Sequence, residues 1–201
     1  MRSRHTCSGW PRWLPLCASS LRQTRKAGRA GGVFIDALTA LQVSERQHLT
    51  PEQIVERFAA VGPRAARGRK RIPAFVRRRT MPDEQPVGGK PGSPSERWTV
   101  GFLFDVILTR DPWMHRTDIA HATGVPLELS ADHDGTLVAD IVQEWAQRHG
   151  QACTLVLTGA AGGEWSWGTG VQRLELDAVD FCRTLSGRGP AEGLLAVEVP
   201  F

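Results

Sequence analysis

Tyrosine is absent from the 201 residues, lysine occurs three times, and no two of the four cysteines stand close together. Cys7, Cys17, Cys153 and Cys182 have neither the spacing of a zinc knuckle nor that of a redox dithiol. Reduced thiols and a cytoplasmic location are therefore the expectation. An apolar run of about 18 residues, the length needed to cross a bilayer, is also missing. At the start, Trp10, Pro11, Arg12, Trp13 and Pro15 interrupt what would have to be the continuous apolar stretch of a signal peptide, so none is expected.

Arginine supplies 22 of the 25 basic residues, a bias expected from G/C-rich codons and therefore weak evidence for phosphate binding. Charge is distributed unevenly: residues 1–80 hold 17 basic against 4 acidic residues, and residues 81–201 hold 8 against 17. A chain of this length, 41% hydrophobic, can bury a core and has room for one large domain or two small ones.

Apolar spacing predicts a helix over residues 33–47. A second should start at Pro51, capped by Thr50 with Gln53 completing a capping box, and should end or kink at Gly62 and Pro63. The Pro/Gly/Ser-rich stretch 73–96 reads as a mobile loop. A third helix runs from about Ser95–Trp98 to Gly124, and a fourth, capped by Ser130, runs to Gly150. The period then falls to two: CTLVLTG, GEWSWGTG and VQRLELD read as strands, Asp177 caps a last helix, and LLAVEVPF reads as a further strand. The fold class is α+β, with an irregular segment at 1–31, a helical part at 32–127 and a small α+β domain at 128–201.

One stretch could carry chemistry. In TRDPWMHRTDIAHATG, residues 109–124, Asp111, His115 and Asp118 stand four and three apart, which places them along one helix face. A carboxylate and an imidazole one turn apart can grip one cation, and zinc accepts both donor types. The plainer reading makes Asp111 an N-cap followed by Pro112 at the first helical position, with His115 on the surface and Asp118 a partner for Arg116 or another nearby cation. Spacing alone leaves both open. His121 points away from the stripe, and His133 and His149 read as contacts with solvent or a helix terminus. The eight basic residues between 64 and 79 could neutralise phosphates. With only Phe75 among them and no named reader motif, a solvated helix end is favoured over nucleic-acid binding. Trp165 and Trp167 alternate on one strand face and should pack on a helix, and Cys153 and Cys182 read as small buried hydrophobes.

TVGFLFDVILTRDPWMHRTDIAHATG, followed by VADIVQEWAQRHG, LTGAAGGEWSWGTG and LDAVDFCRTLSGRG, resembles the mycothiol-dependent maleylpyruvate isomerase family of the DinB-like metal-binding superfamily. The resemblance covers roughly residues 33–201 and is sharpest at 109–124. It implies an N-terminal four-helix bundle, here incomplete, that binds a divalent metal, usually zinc, and a small α+β domain after it. Asp111, Trp113 and His115 fill the family's pattern of acid, x, aromatic, x, His, with Asp in place of the more familiar Glu. Asp111 and His115 are thereby the implied metal ligands, and Asp118 the carboxylate that orients them.

The family's third ligand is a His near the end of the first bundle helix, and His5 is the sole candidate here. The surrounding HTCSGWPRWLP can be back-translated so that another frame reads HLLGMAEMAA, an amphipathic family-like helix ending. An out-of-frame translation of residues 1–31 is the corresponding expectation.

The implied function is metal-activated thiolate chemistry, isomerisation or thiol transfer, with mycothiol as cosubstrate and a small electrophile as substrate. A non-catalytic binding or regulatory module with a decayed metal site is the alternative. A membrane partner is not expected, and substrate and oligomeric state are left open.

Overall fold

A computed structural model describes residues 34–88, 92–169 and 172–201, together with Arg22, Gln23, Lys26 and Arg29. Of residues 1–31, the segment read as out of frame, all but those four, His5 among them, lie outside the described residues. The architecture is mixed α+β. The chain divides into two units, Met1–Ala66 and Arg67–Phe201.

The first unit contains helix α1 (Phe34–Ser44) and most of α2 (Pro51–Lys70). The expected capping box starts α2: the Gln53 amide donates to Thr50 Oγ1 at 3.3 Å, and the Thr50 amide donates to Gln53 Oε1 at 3.1 Å. The expected stop at Gly62–Pro63 does not occur, and α2 runs through Pro63 to Lys70. Pro63 removes one backbone donor. Because α2 buries none of its residues, water can reach the carbonyl left without it.

The second unit opens with α3 (Ala74–Arg77), then strands β1 (Gln85–Pro86) and β2 (Ser95–Glu96) paired antiparallel, with an isolated bridge between Thr80 and Thr99. The stretch read as a mobile loop thus carries a small ribbon, tied by backbone bonds such as Met81 to Trp98 at 2.8 Å. Turn-rich composition hid it, because each strand is only two residues long.

Helix α4 (Val100–Phe102), capped by Thr99, passes through a π-helical turn, Leu103–Ile107, into α5 (Leu108–Thr123). Pro112 lies inside α5, so it cannot donate to the Leu108 carbonyl one turn back. The π turn likewise sends the Leu108 amide to Leu103 rather than to Phe104. Arg69 serves both gaps: its guanidinium donates to the Leu108 carbonyl at 3.1 Å, to the Phe104 carbonyl, and to Thr109 Oγ1 at 2.8 Å. A side chain 40 residues away from Thr109 in sequence therefore keeps a proline and a π turn inside one helical run. Gly124, left-handed at φ 69°, ends it.

A second π turn, Ala131–Gly135, capped by Ser130, leads into α6 (Thr136–His149). Strands β3 (Cys153–Thr158), β4 (Gly163–Trp167) and β5 (Arg173–Asp177) follow, in the order β4-β3-β5, with β3 antiparallel to β4 and parallel to β5. Asp177 caps α7 (Ala178–Leu185), its carboxylate accepting from the Val179 amide at 2.7 Å. The terminal segment read as a strand instead forms a 3₁₀ turn, Gly193–Ala196. Its Leu194 carbonyl takes the indole N–H of Trp145 at 3.0 Å, so it is held by the core rather than by a ladder.

One core unites α5, α6, the sheet and α7. Trp113 and Met114 from α5 pack with Val138, Ile141, Val142 and Trp145 from α6, Cys153, Leu155 and Leu157 from β3, and Phe181, Cys182 and Leu185 from α7. Trp145 meets Phe181 edge-on at 5.3 Å and Trp167 at 6.1 Å. Residues 109–124, which the sequence reading assigns to the helical part, thus share their core with the sheet. Among the described residues, no helix is long and apolar enough to cross a membrane.

Candidate functional site

The orientation of α5 is set by Trp113. Its side chain is buried, and its indole N–H donates to Asp134 Oδ1 at 2.8 Å. Asp134 is itself buried, accepting from the Ser130 amide at 2.7 Å and from Arg116. Burial pushes the Asp134 carboxyl up, but the bonds from Ser130, Trp113 and Arg116 outweigh it and hold the group well below the usual carboxylate range.

With Trp113 locked inward, positions two before and two after it rotate by about 200° in opposite senses and emerge on the far side, about 40° apart. Asp111 and His115 occupy those positions, and their side chains are 45% and 59% exposed. His115 Nε2 lies 3.3 Å from Asp111 Oδ1. Two ligands bound to one zinc at about 2.0–2.1 Å in tetrahedral geometry stand about 3.3 Å from each other, so the separation suits a shared cation as well as it does a direct contact between ring and carboxylate. Asp111 lies within α5, not at its cap, which removes the plainer reading of that residue.

The third member of the stripe has its own partners. Asp118 Oδ2 is 3.5 Å from His115 Nδ1, on the ring edge opposite Asp111. Arg183 Nη1 donates to Asp118 Oδ1 at 3.0 Å, and Arg188 Nε donates to both carboxylate oxygens at 3.0 Å. The two arginines anchor Asp118 to α7 and the turn after it, and Asp118 in turn faces the His115 ring. Such an arrangement can orient an imidazole so that Nε2 is the free donor. These arginines escape a reading by spacing, since 65 and 70 residues separate them from Asp118 and no local pattern joins them.

The donor set fits part of a metal centre. A catalytic zinc commonly takes three protein ligands and keeps a fourth position open. Among the described residues, no group of three or more His, Cys, Asp or Glu side chains is arranged to hold a metal ion. His5, the remaining candidate, lies outside them.

The other histidines separate cleanly. His121 and His133 are exposed. His149 makes the expected contact at the helix terminus, where Nδ1 accepts from the Gln151 amide at 3.0 Å, and its half-buried ring lies 4.2 Å from Trp145, tilted by 58°. Nε2 is buried without a partner, and burial lowers the pKa of the ring. Cys153 and Cys182 are buried, as expected, and burial pushes both thiols up. Neither is poised as a nucleophile.

A separate open groove of about 420 Å³ runs between the π turn before α5 and the outer face of α6. Phe102 and Val106 give it an apolar wall, and Gln143 and Gln147 a polar one. Arg110, 2% exposed, lies at its base, donating to Asp140 Oδ2 at 2.6 Å, Glu144 Oε2 at 2.6 Å and the Pro200 carbonyl at 3.1 Å. Arg148 bridges Glu144 at 2.7 Å and Glu96 at 2.9 Å. This network joins α5, α6, β2 and the C-terminus. Its charges are mutually satisfied, and Asp111, His115 and Asp118 take no part in lining the groove.

Compared with family models, curated proteins and solved structures, the chain matches none of them.

Proposed function

We propose that this protein is a metal-binding, mycothiol-dependent enzyme of the maleylpyruvate isomerase type, with a DinB-like helical bundle as its N-terminal part. The observation that carries the reading is the 3.3 Å approach of Asp111 Oδ1 to His115 Nε2, in the acid, x, aromatic, x, His context of the resemblance. Asp111 and His115 would hold the metal, zinc being the ion suited to both donors. Asp118, gripped by Arg183 and Arg188, would orient His115. The bound ion would supply a lowered thiol pKa, so that mycothiol meets a small electrophile as its thiolate.

The second reading, a binding or regulatory module with a decayed metal site, is favoured by one specific observation: two facing ligands, and no third, among the described residues. Thiolate formation separates the two. Mycothiol mixed at neutral pH with the zinc-supplemented protein should gain thiolate absorbance in proportion to the protein, and His115→Ala should abolish the gain. No gain with the unsubstituted protein supports the module and overturns the enzyme.

A further inference from the structure

The arginine-rich segment at the start of the second unit takes no part in the proposed chemistry. Residues 67–82 contain seven basic side chains and no acidic one, and the structure sorts them into two kinds. Arg69 and Arg77 are turned inward. Arg69 serves the carbonyls of Phe104 and Leu108, while Arg77 donates to the carbonyls of Arg69 at 2.6 Å and Ile72 at 3.1 Å and pairs with Asp105. Arg67, Lys70, Arg71, Arg78 and Arg79 are exposed and meet no carboxylate among the described residues. Codon bias does not explain that difference. All seven arginines from Arg97 to Arg188 stand within ion-pair distance of a carboxylate.

Arg67 and Lys70 stand at i and i+3 on one face of α2, and Arg71 follows at once in the turn that ends it. Phe75 on α3 is 72% exposed, and the bonds from Arg77 to the carbonyls of Arg69 and Ile72 tie α3 to the end of α2. A large aromatic ring is thereby presented to solvent from within a run of exposed cations.

We infer that residues 67–79 form a binding surface for single-stranded nucleic acid. The five exposed cations contact phosphates, and Phe75 stacks on an unpaired base. Four of the five are arginines, whose planar forks match phosphate oxygens. A membrane-surface helix would need a broad apolar face beside its cations; the exposed apolar side chains of α2, Ile54, Val55, Phe58 and Val61, all precede Arg67 by six residues or more, and Phe75 is the one large apolar side chain exposed within residues 67–79.

The test is fluorescence anisotropy of the full chain with a labelled single-stranded oligonucleotide longer than about 16 nucleotides. If all five cations engage, a fourfold rise in salt weakens binding about 100-fold, and Arg67→Ala with Lys70→Ala and Arg71→Ala lowers the slope of log affinity against log salt by about 2. Phe75→Ala should weaken binding about 10-fold without changing that slope, and Phe75→Trp should restore it. These side chains are exposed and have no carboxylate partner among the described residues, so folding is not at stake. No binding at low salt overturns the inference, as does a Phe75→Ala affinity equal to that of the unsubstituted protein. Competition by polyglutamate as strong as by unlabelled oligonucleotide also overturns it, and would assign the surface to an acidic protein.

Discussion

Arg69 shows how one side chain can license irregular backbone. Pro112 and the π turn each release a carbonyl from the helical ladder, and the Arg69 guanidinium reaches both. Replacing it with Met keeps much of the apolar stem but removes every donor; water can reach the exposed Leu108 carbonyl, and the half-buried Phe104 carbonyl left without a partner costs about 1 kcal/mol, the low end of the range for a buried acceptor. Arg69→Met should therefore lower stability by that order in denaturant unfolding, whereas the exposed neighbour Lys70→Met should change it little. Asp134 offers a second test, through pH. Its folded pKa is depressed, so its contribution to stability is complete above the ordinary carboxylate range and is lost as pH falls toward the lower native value. Asp134→Asn should be less stable at neutral pH and should lose that part of the acid sensitivity, measured as unfolding midpoints across an acid series. His149 acts in the same direction at higher pH. Burial lowers its folded pKa, so stability falls as pH drops below its ordinary value, and His149→Phe should flatten that part of the profile.

At the level of elements, two glycines separate backbone strain from steric exclusion. Gly150 ends α6 at φ 62° with open space around a Cβ, so Gly150→Ala costs only the left-handed conformation, about 1 kcal/mol. At Gly162, in the β3–β4 turn, a Cβ would fall 2.1 Å from the Leu157 carbonyl oxygen. Backbone there must move, and Gly162→Ala should destabilise by more than Gly150→Ala in the same thermal unfolding assay. Elements with local signals were legible in the sequence: the Thr50–Gln53 box, the Ser130 and Asp177 caps, the glycine ends at 124 and 150, and the three strands whose period is two. Those set by distant partners were not. The passage of α2 through Pro63, the ribbon within 73–96, the π turn at 103–107 inside the expected third helix, and the 3₁₀ turn at 193–196 rest on hydration, on long-range backbone bonds, or on Arg69 and Trp145.

Over the molecule as a whole, the candidate site divides the same way. The one-turn spacing of Asp111 and His115 made their proximity legible, because helix geometry alone brings them together. Their outward direction depends on Trp113 and Asp134, and the clasp on Asp118 depends on Arg183 and Arg188 across the fold. The proposed function stands or falls with cation binding by the Asp111–His115 pair. Its most direct test is the zinc content of the purified full chain after equilibration with zinc and removal of unbound ion, beside His115→Ala and the exposed control His133→Ala. One zinc per chain is expected, retained in His133→Ala and lost in His115→Ala. A chain that retains no zinc, or one whose zinc survives His115→Ala, contradicts it.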